Sequence, residues 1–131
     1  MNSQHVSQQL LEEARLILTK DVVSALEAGN YSLVVRRSQE VVELTIKAFI
    51  KAAGYDFPKV HDPAPLLDEI CDAKGIDLDS ETLKEIRRIS ATLAEERAPA
   101  FYAERSYTLE DAQEATQSAA LVFKGLSPLL G

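Results

Sequence analysis

The sequence is short of the residues that staple or punctuate a chain. Its one cysteine, Cys71, leaves no internal disulfide to form. Its two histidines, His5 and His61, are too few and too far apart to make a Cys/His zinc site. No apolar run approaches the roughly 18 residues that span a bilayer. Residues 1–9 are polar, with neither the basic nor the apolar region of a secretory leader. No stretch alternates apolar and polar residues between turn signals, so strand patterns are missing. Glycine is scattered, with no phosphate-cradling loop and no Gly-x-Ser-x-Gly elbow. These absences argue against a disulfide scaffold, a metal-built domain, a membrane span and the commonest nucleotide and esterase sites. The simplest expectation is a reduced, cytoplasmic chain with no metal and no cofactor.

What is present suits one folded domain over residues 1–131. The chain is 46% hydrophobic and 27% charged, a balance that supports a core and argues against disorder. Its net charge of −7 disfavours non-specific attraction to nucleic acid, which rests on clustered Lys and Arg. Two local basic pairs, Arg36-Arg37 and Arg87-Arg88, stand against that total and read as solvated helix-face charges.

Helical periodicity recurs along the chain and predicts a single all-α domain of about five helices. The first spans about Gln4 to Ala28, with Leu11, Ala14, Leu18, Val22 and Ala25 on one face and Gly29-Asn30 at its end. The second spans about Tyr31 to Ala53. Its charges Arg36, Glu40, Glu43, Lys47 and Lys51 form a narrow stripe, and most of the remainder is apolar. A helix so apolar around its circumference is covered on several sides, as the central helix, at a dimer interface, or both. Within the stripe, Glu43 precedes Lys47 by four residues, the favoured order for an ion pair. The third helix follows Asp62 as cap and Pro63 as first residue and ends at Gly75. The fourth starts near Asp79-Ser80, with Leu83, Ile86, Ile89, Ser90 and Leu93 inward. The fifth starts at Thr108, with Asp111 in the capping-box position and Leu109, Ala112, Ala119, Val122, Phe123 and Leu126 on its buried face.

Between the last two helices, Glu96 to Tyr107 reads as a long connector, because Pro99 disfavours helix at Ala98. Long ordered connectors tend to be functional, and this one carries Arg97, Phe101, Tyr102, Arg105 and Tyr107. The alternative is structural: Arg97 pairs with Glu95 or Glu96, while Phe101 and Tyr102 plug the end of the bundle. His5 falls in a frayed terminus, His61 reads as a structural residue before a cap, and Cys71 as a small core residue.

Helix two reads Gln39-Glu40-Val41-Val42-Glu43-Leu44-Thr45-Ile46-Lys47-Ala48. Then come Gly54, His61-Asp62, Leu66-Leu67, Arg97, Tyr102 and Tyr107-Thr108-Leu109-Glu110-Asp111-Ala112. This order and spacing, over about residues 7 to 126, resembles the HEPN family (higher eukaryotes and prokaryotes nucleotide-binding domain). The resemblance implies an all-α, up-and-down bundle of four to five helices that usually dimerises and frequently works with a minimal nucleotidyltransferase, often as a toxin–antitoxin pair. It also implies, for many members, a metal-independent ribonuclease whose site is an Arg followed after four to six residues by a His. Arg97 takes the arginine position here, but Tyr102 stands where the histidine belongs, and Glu104 stands where some members carry a tyrosine that the partner adenylylates. A free phenol titrates near pH 10 and a free imidazole near about 6.5, so the exchange removes most of the base available at neutral pH.

The resemblance therefore implies a nucleotide- or RNA-binding module, catalytically weak or silent. Arg97, Tyr102 and Arg105 form the candidate grip, with Glu43 and Lys47 from the helix-two motif beside them, since an Arg fork suits phosphate and a Tyr ring suits a base. A ribonuclease using Tyr102 or His61 is the alternative, and it requires His61 near Arg97 in space. A pure protein-interaction domain is the third reading.

Overall fold

The structure, a computed structural model, describes residues 2–130. Helix α1 comprises Ser3–Leu16, a π-helical turn Ile17–Asp21 and Val22–Glu27, without a break in the backbone. Helix α2 is Tyr31–Ala52, α3 is Leu67–Lys74 behind a 3-10 turn Ala64–Leu66, α4 is Ser80–Phe101 and α5 is Leu109–Leu126. A last 3-10 turn, Ser127–Leu130, closes the described residues, among which there is no strand.

Capping residues set the helix starts. Asn30, Asp79 and Thr108 each accept a backbone N–H from the first turn, and Thr108 and Asp111 complete the reciprocal capping box. Gly29 takes a left-handed φ of 72°, which lets α1 turn back into α2 over three residues. His5, expected in a frayed end, lies in the first turn of α1, where Asn2 caps its N–H at 2.8 Å. Asp62 holds the N–H of Ala64 at 3.3 Å, so α3 begins with a 3-10 turn instead of a plain α-turn.

Helix α2 is the axis of the molecule and packs against α1, α4 and α5. Contacts between helix ends fix the directions. Ser7 Oγ donates to the Ala48 carbonyl at 2.8 Å, which joins the start of α1 to the end of α2. Arg97 near the end of α4 reaches Gln39 in the first half of α2. Gln4 near the start of α1 donates to the Leu130 carbonyl. The long helices thus run up, down, up and down, with α3 as a short excursion between α2 and α4. Val34, Val41, Ile46, Phe49 and Ile50 of α2 are buried between Ala14 and Val22 of α1, Ile86 and Ile89 of α4, and Ala119 and Val122 of α5. Small residues on α5 allow close approach to α2.

Two expectations about the C-terminal half are corrected. Leu109 is exposed, because it takes the solvent side of the first turn of α5, whose inner side is filled by the fully buried Ala112. The long connector is also shorter than expected. Helix α4 continues through Pro99 to Phe101, leaving residues 102–108 as the link. Pro99 sits in the last turn, where it costs one backbone donor. Ala100 beyond it is buried in the core, and Arg97 is fastened to α2; together these contacts outweigh the local preference.

Candidate functional site

The end of α4 is shaped by its cap. The Glu104 N–H donates to the Pro99 carbonyl at 3.0 Å and the Tyr102 N–H to the Ala98 carbonyl at 2.9 Å. The first bond closes a Schellman-type turn and places Ala103 at φ 56°, a left-handed conformation rare for a residue with a Cβ. This turn projects Phe101 and Tyr102 away from the core, at 59% and 69% exposure, so they do not plug the bundle. Their rings meet edge to face, 4.9 Å apart, and the Arg36 guanidinium lies 4.8 Å over Phe101.

Beside these rings is a cavity of about 420 Å³, lined by Arg36, Arg37, Glu40, His61, Arg97 and Tyr102 among others. Three guanidiniums therefore converge in a chain whose total charge is −7. The Arg36-Arg37 pair, read from the sequence as a solvated helix face, is half-buried and lines the site. Arg37 is paired with Glu40, whereas Arg36 faces the Phe101 ring. The other basic pair behaves as expected: Arg87 and Arg88 form exposed ion pairs with Asp68 and Glu85.

Arg97 does not pair with its acidic neighbours. Its Nη1 donates to Gln39 Oε1 at 3.0 Å, across from α4 to α2. Gln39 is 1% exposed and uses its other end as well: Nε2 donates to the His61 carbonyl at 3.2 Å and to Glu43 Oε1 at 3.0 Å. Glu43 Oε1 also takes the His61 ring, with Nδ1 at 2.9 Å, and Glu43 Oε2 accepts from Lys47 Nζ at 2.7 Å. Gln39, Glu43 and Lys47 are spaced by four on α2, so one face of that helix carries a continuous polar line into the cavity wall. Burial pushes the Glu43 carboxyl up, but hydrogen bonds from Lys47, Gln39 and His61 outweigh it and hold the carboxyl below its ordinary value. Lys47, almost fully buried, is covered on a further side by the Phe57 ring at 5.3 Å.

The residues singled out in the sequence are thus divided. Arg97 and Tyr102 share the cavity, and Glu43 and Lys47 stand behind its wall. Arg105 is elsewhere. It pairs with Glu96 and Asp111, stacks on Tyr107 at 4.8 Å, and lines a separate cavity of about 150 Å³. Tyr107 donates to Glu96 at 2.5 Å, and burial together with that carboxylate pushes its phenol well above the ordinary value. Sequence reasoning missed Gln39, whose amide joins Arg97 to His61. His61, read from the sequence as structural and, in the alternative reading, as a residue that must lie near Arg97, is brought into the Arg97 cavity by the loop between α2 and α3. The signal available for Gln39 was its place one turn before Glu43, on the same face.

The model of the HEPN domain family matches residues 7–126. No curated protein and no solved structure matches the chain.

Proposed function

This chain belongs to the HEPN domain family, and on that premise we propose that the Arg97 cavity binds the phosphate and base of a nucleotide or of single-stranded RNA. The observation that carries the reading is the bond from Arg97 to Gln39. It orients one guanidinium toward a cavity with two further arginines and an exposed tyrosine ring. A guanidinium fork binds phosphate oxygens in pairs, and the ring offers a face to any base. The three arginines are set against one carboxylate, Glu40, so the lining favours an anion in an otherwise acidic molecule.

Family membership supports the wider proposal of a homodimer that works with a minimal nucleotidyltransferase partner, as in toxin–antitoxin pairs. Phe101 and Tyr102, exposed beside the cavity, are available to a second protomer placed over it. Titration of the purified protein with ATP and with a short RNA tests the binding reading. Arg97→Ala is expected to weaken binding by about tenfold or more, the loss of a charge-assisted contact worth roughly 1.5–3 kcal/mol. Equal binding by both proteins removes Arg97 from the site. Native mass spectrometry of the protein from its host tests the partner.

A second reading, a metal-independent ribonuclease, is favoured by one specific observation. His61 lines the same cavity as Arg97 although 36 positions separate them in the chain. The arginine that would stabilise the phosphate and an imidazole that would move a proton therefore share one space.

A further inference from the structure

We propose that Glu40 makes the Arg97 cavity select guanine, its carboxylate meeting the N1–H and N2–H edge of the base while a guanidinium meets O6 and N7. The proposal rests on the reading that this cavity binds a base with its phosphate, and it names which base. The recognised group is the same in a free guanine nucleotide and in a guanosine within single-stranded RNA.

The place of one carboxylate carries it. Glu40 is the single acidic side chain among the described residues that line the cavity, beside Arg36, Arg37 and Arg97. In a pocket for phosphate alone a carboxylate is a cost, because it repels the anion. Glu40 follows Arg36 by four residues and Arg37 by three, so the three project from neighbouring positions of α2. The bond from Arg37 Nη1 goes to Oε1, and Oε2 takes no part in it. A carboxylate has about four acceptor sites, so one such bond leaves both oxygens able to accept more. The Glu40 side chain is 31% exposed, which keeps it within reach of a ligand. Neutralising Arg37 requires neither the second oxygen nor a place in the lining.

The bases differ in what they present to such a group. A carboxylate only accepts hydrogen bonds. Guanine sets two donors side by side, N1–H and N2–H, which two carboxylate oxygens can take together. Adenine and cytosine set one amino donor beside a ring nitrogen that is itself an acceptor. Uracil flanks its one N–H with two carbonyls. Each of these three points an acceptor at an acceptor, and that mismatch costs affinity where water is displaced. Guanine also carries two acceptors, O6 and N7, on its other edge, the pair that an arginine fork binds. A cavity that holds guanidiniums and one carboxylate therefore matches both edges of guanine and of no other common base.

The rest of the lining divides the remaining tasks. Arg97, held by Gln39, takes the phosphate. Arg36 lies 4.8 Å over the Phe101 ring and forms no ion pair among the described residues, so its donors can serve O6 and N7. The exposed Tyr102 ring supplies the stacking face. The volume of about 420 Å³ lies within the usual range of small-ligand sites, about 300–1,000 Å³, and suits one nucleotide.

The test measures Kd by calorimetry for GMP, IMP, AMP, CMP and UMP. Fluorescence anisotropy does the same for two labelled short RNAs, one all uridine and one with a single central guanosine. The wild-type protein is expected to bind GMP about tenfold or more tighter than AMP, CMP or UMP, the effect of one charge-assisted hydrogen bond. IMP keeps every group of GMP except the N2 amine and should bind about tenfold more weakly than GMP. Glu40→Gln, whose amide sets a donor beside an acceptor, should lose the preference for GMP and gain affinity for AMP. A preference confined to the RNA pair assigns the single strand as the source of the guanine, and one confined to the mononucleotides assigns the free nucleotide. Equal affinity across the mononucleotides and across the two RNAs overturns the proposal and leaves the binding reading standing. So does a Glu40→Gln variant, folded by circular dichroism, that keeps the full preference for GMP. The IMP comparison needs no variant and decides the matter if Glu40→Gln loses its helices. Failure of every nucleotide and both RNAs to bind the wild-type protein removes the binding reading itself.

Discussion

Arg97 and Gln39 are joined by a 3.0 Å hydrogen bond between α4 and α2, although 58 positions separate them in the chain. The bond ties Arg97 to a side chain 1% exposed in the central helix. The same amide reaches Glu43 and the His61 carbonyl, so the cavity wall is one network and not a set of independent side chains.

Removing the hub should therefore be felt in both stability and binding. Gln39→Ala strips partners from Arg97, Glu43 and the His61 carbonyl and leaves a gap beside α4. Urea denaturation should show a loss of about 1–3 kcal/mol, the usual cost of unmatched buried polar groups. RNA or ATP affinity should fall with it. A variant as stable as the wild type would mean that water replaces the amide without cost.

Acid should weaken the fold through Glu43. Its folded-state pKa is held below the ordinary 4.5, so ionisation favours the native state. That stabilisation is complete above the unfolded-state value and is lost as pH falls through the folded-state value. Glu43→Gln leaves the almost buried Lys47 without its carboxylate, at a cost of about 2 kcal/mol near pH 7. The gap between wild type and variant should narrow below pH 4.5, which urea midpoints at pH 7 and at about pH 3 will check.

Tyr102 and Arg105 should behave differently in the same titration. Tyr102→Ala removes a stacking face worth roughly 1–3 kcal/mol per base, whereas Tyr102→Phe retains it. RNA affinity should therefore fall for Ala and hold for Phe. Arg105→Ala should leave affinity unchanged, because Arg105 lines the other cavity, and its half-exposed ion pairs contribute little to stability. Weakened binding by Arg105→Ala would place the ligand across both cavities.

Ala103, at φ 56°, carries backbone strain at the turn that presents Tyr102. Ala103→Gly relieves it, and the gain should be about 0.5–1 kcal/mol after the added freedom of the unfolded chain is subtracted. Thermal denaturation should show a modest rise in Tm, and Ala103→Val a fall. If glycine also lowers ligand affinity, the rigidity of the turn contributes to binding.

The bundle was legible in the sequence because helical periodicity and caps are local. Leu83, Ile86, Ile89, Ser90 and Leu93 are all buried at the spacing their positions predict, and Asn30, Asp79 and Thr108 cap where short polar side chains allow it. The Glu43–Lys47 pair followed from a separation of four on one helix. Tertiary structure decided the rest. Pro99 signals an end to α4, yet burial of Ala100 and the hold on Arg97 carry the helix onward, a balance that no neighbouring residue reports. Arg105 lies close to Arg97 in sequence but turns to another cavity. Gln39 and His61 lie far from it in sequence and meet it in space. Local spacing fixes which residues share a helix face; only the packing of α4 and the α2–α3 loop onto α2 fixes which faces share a cavity.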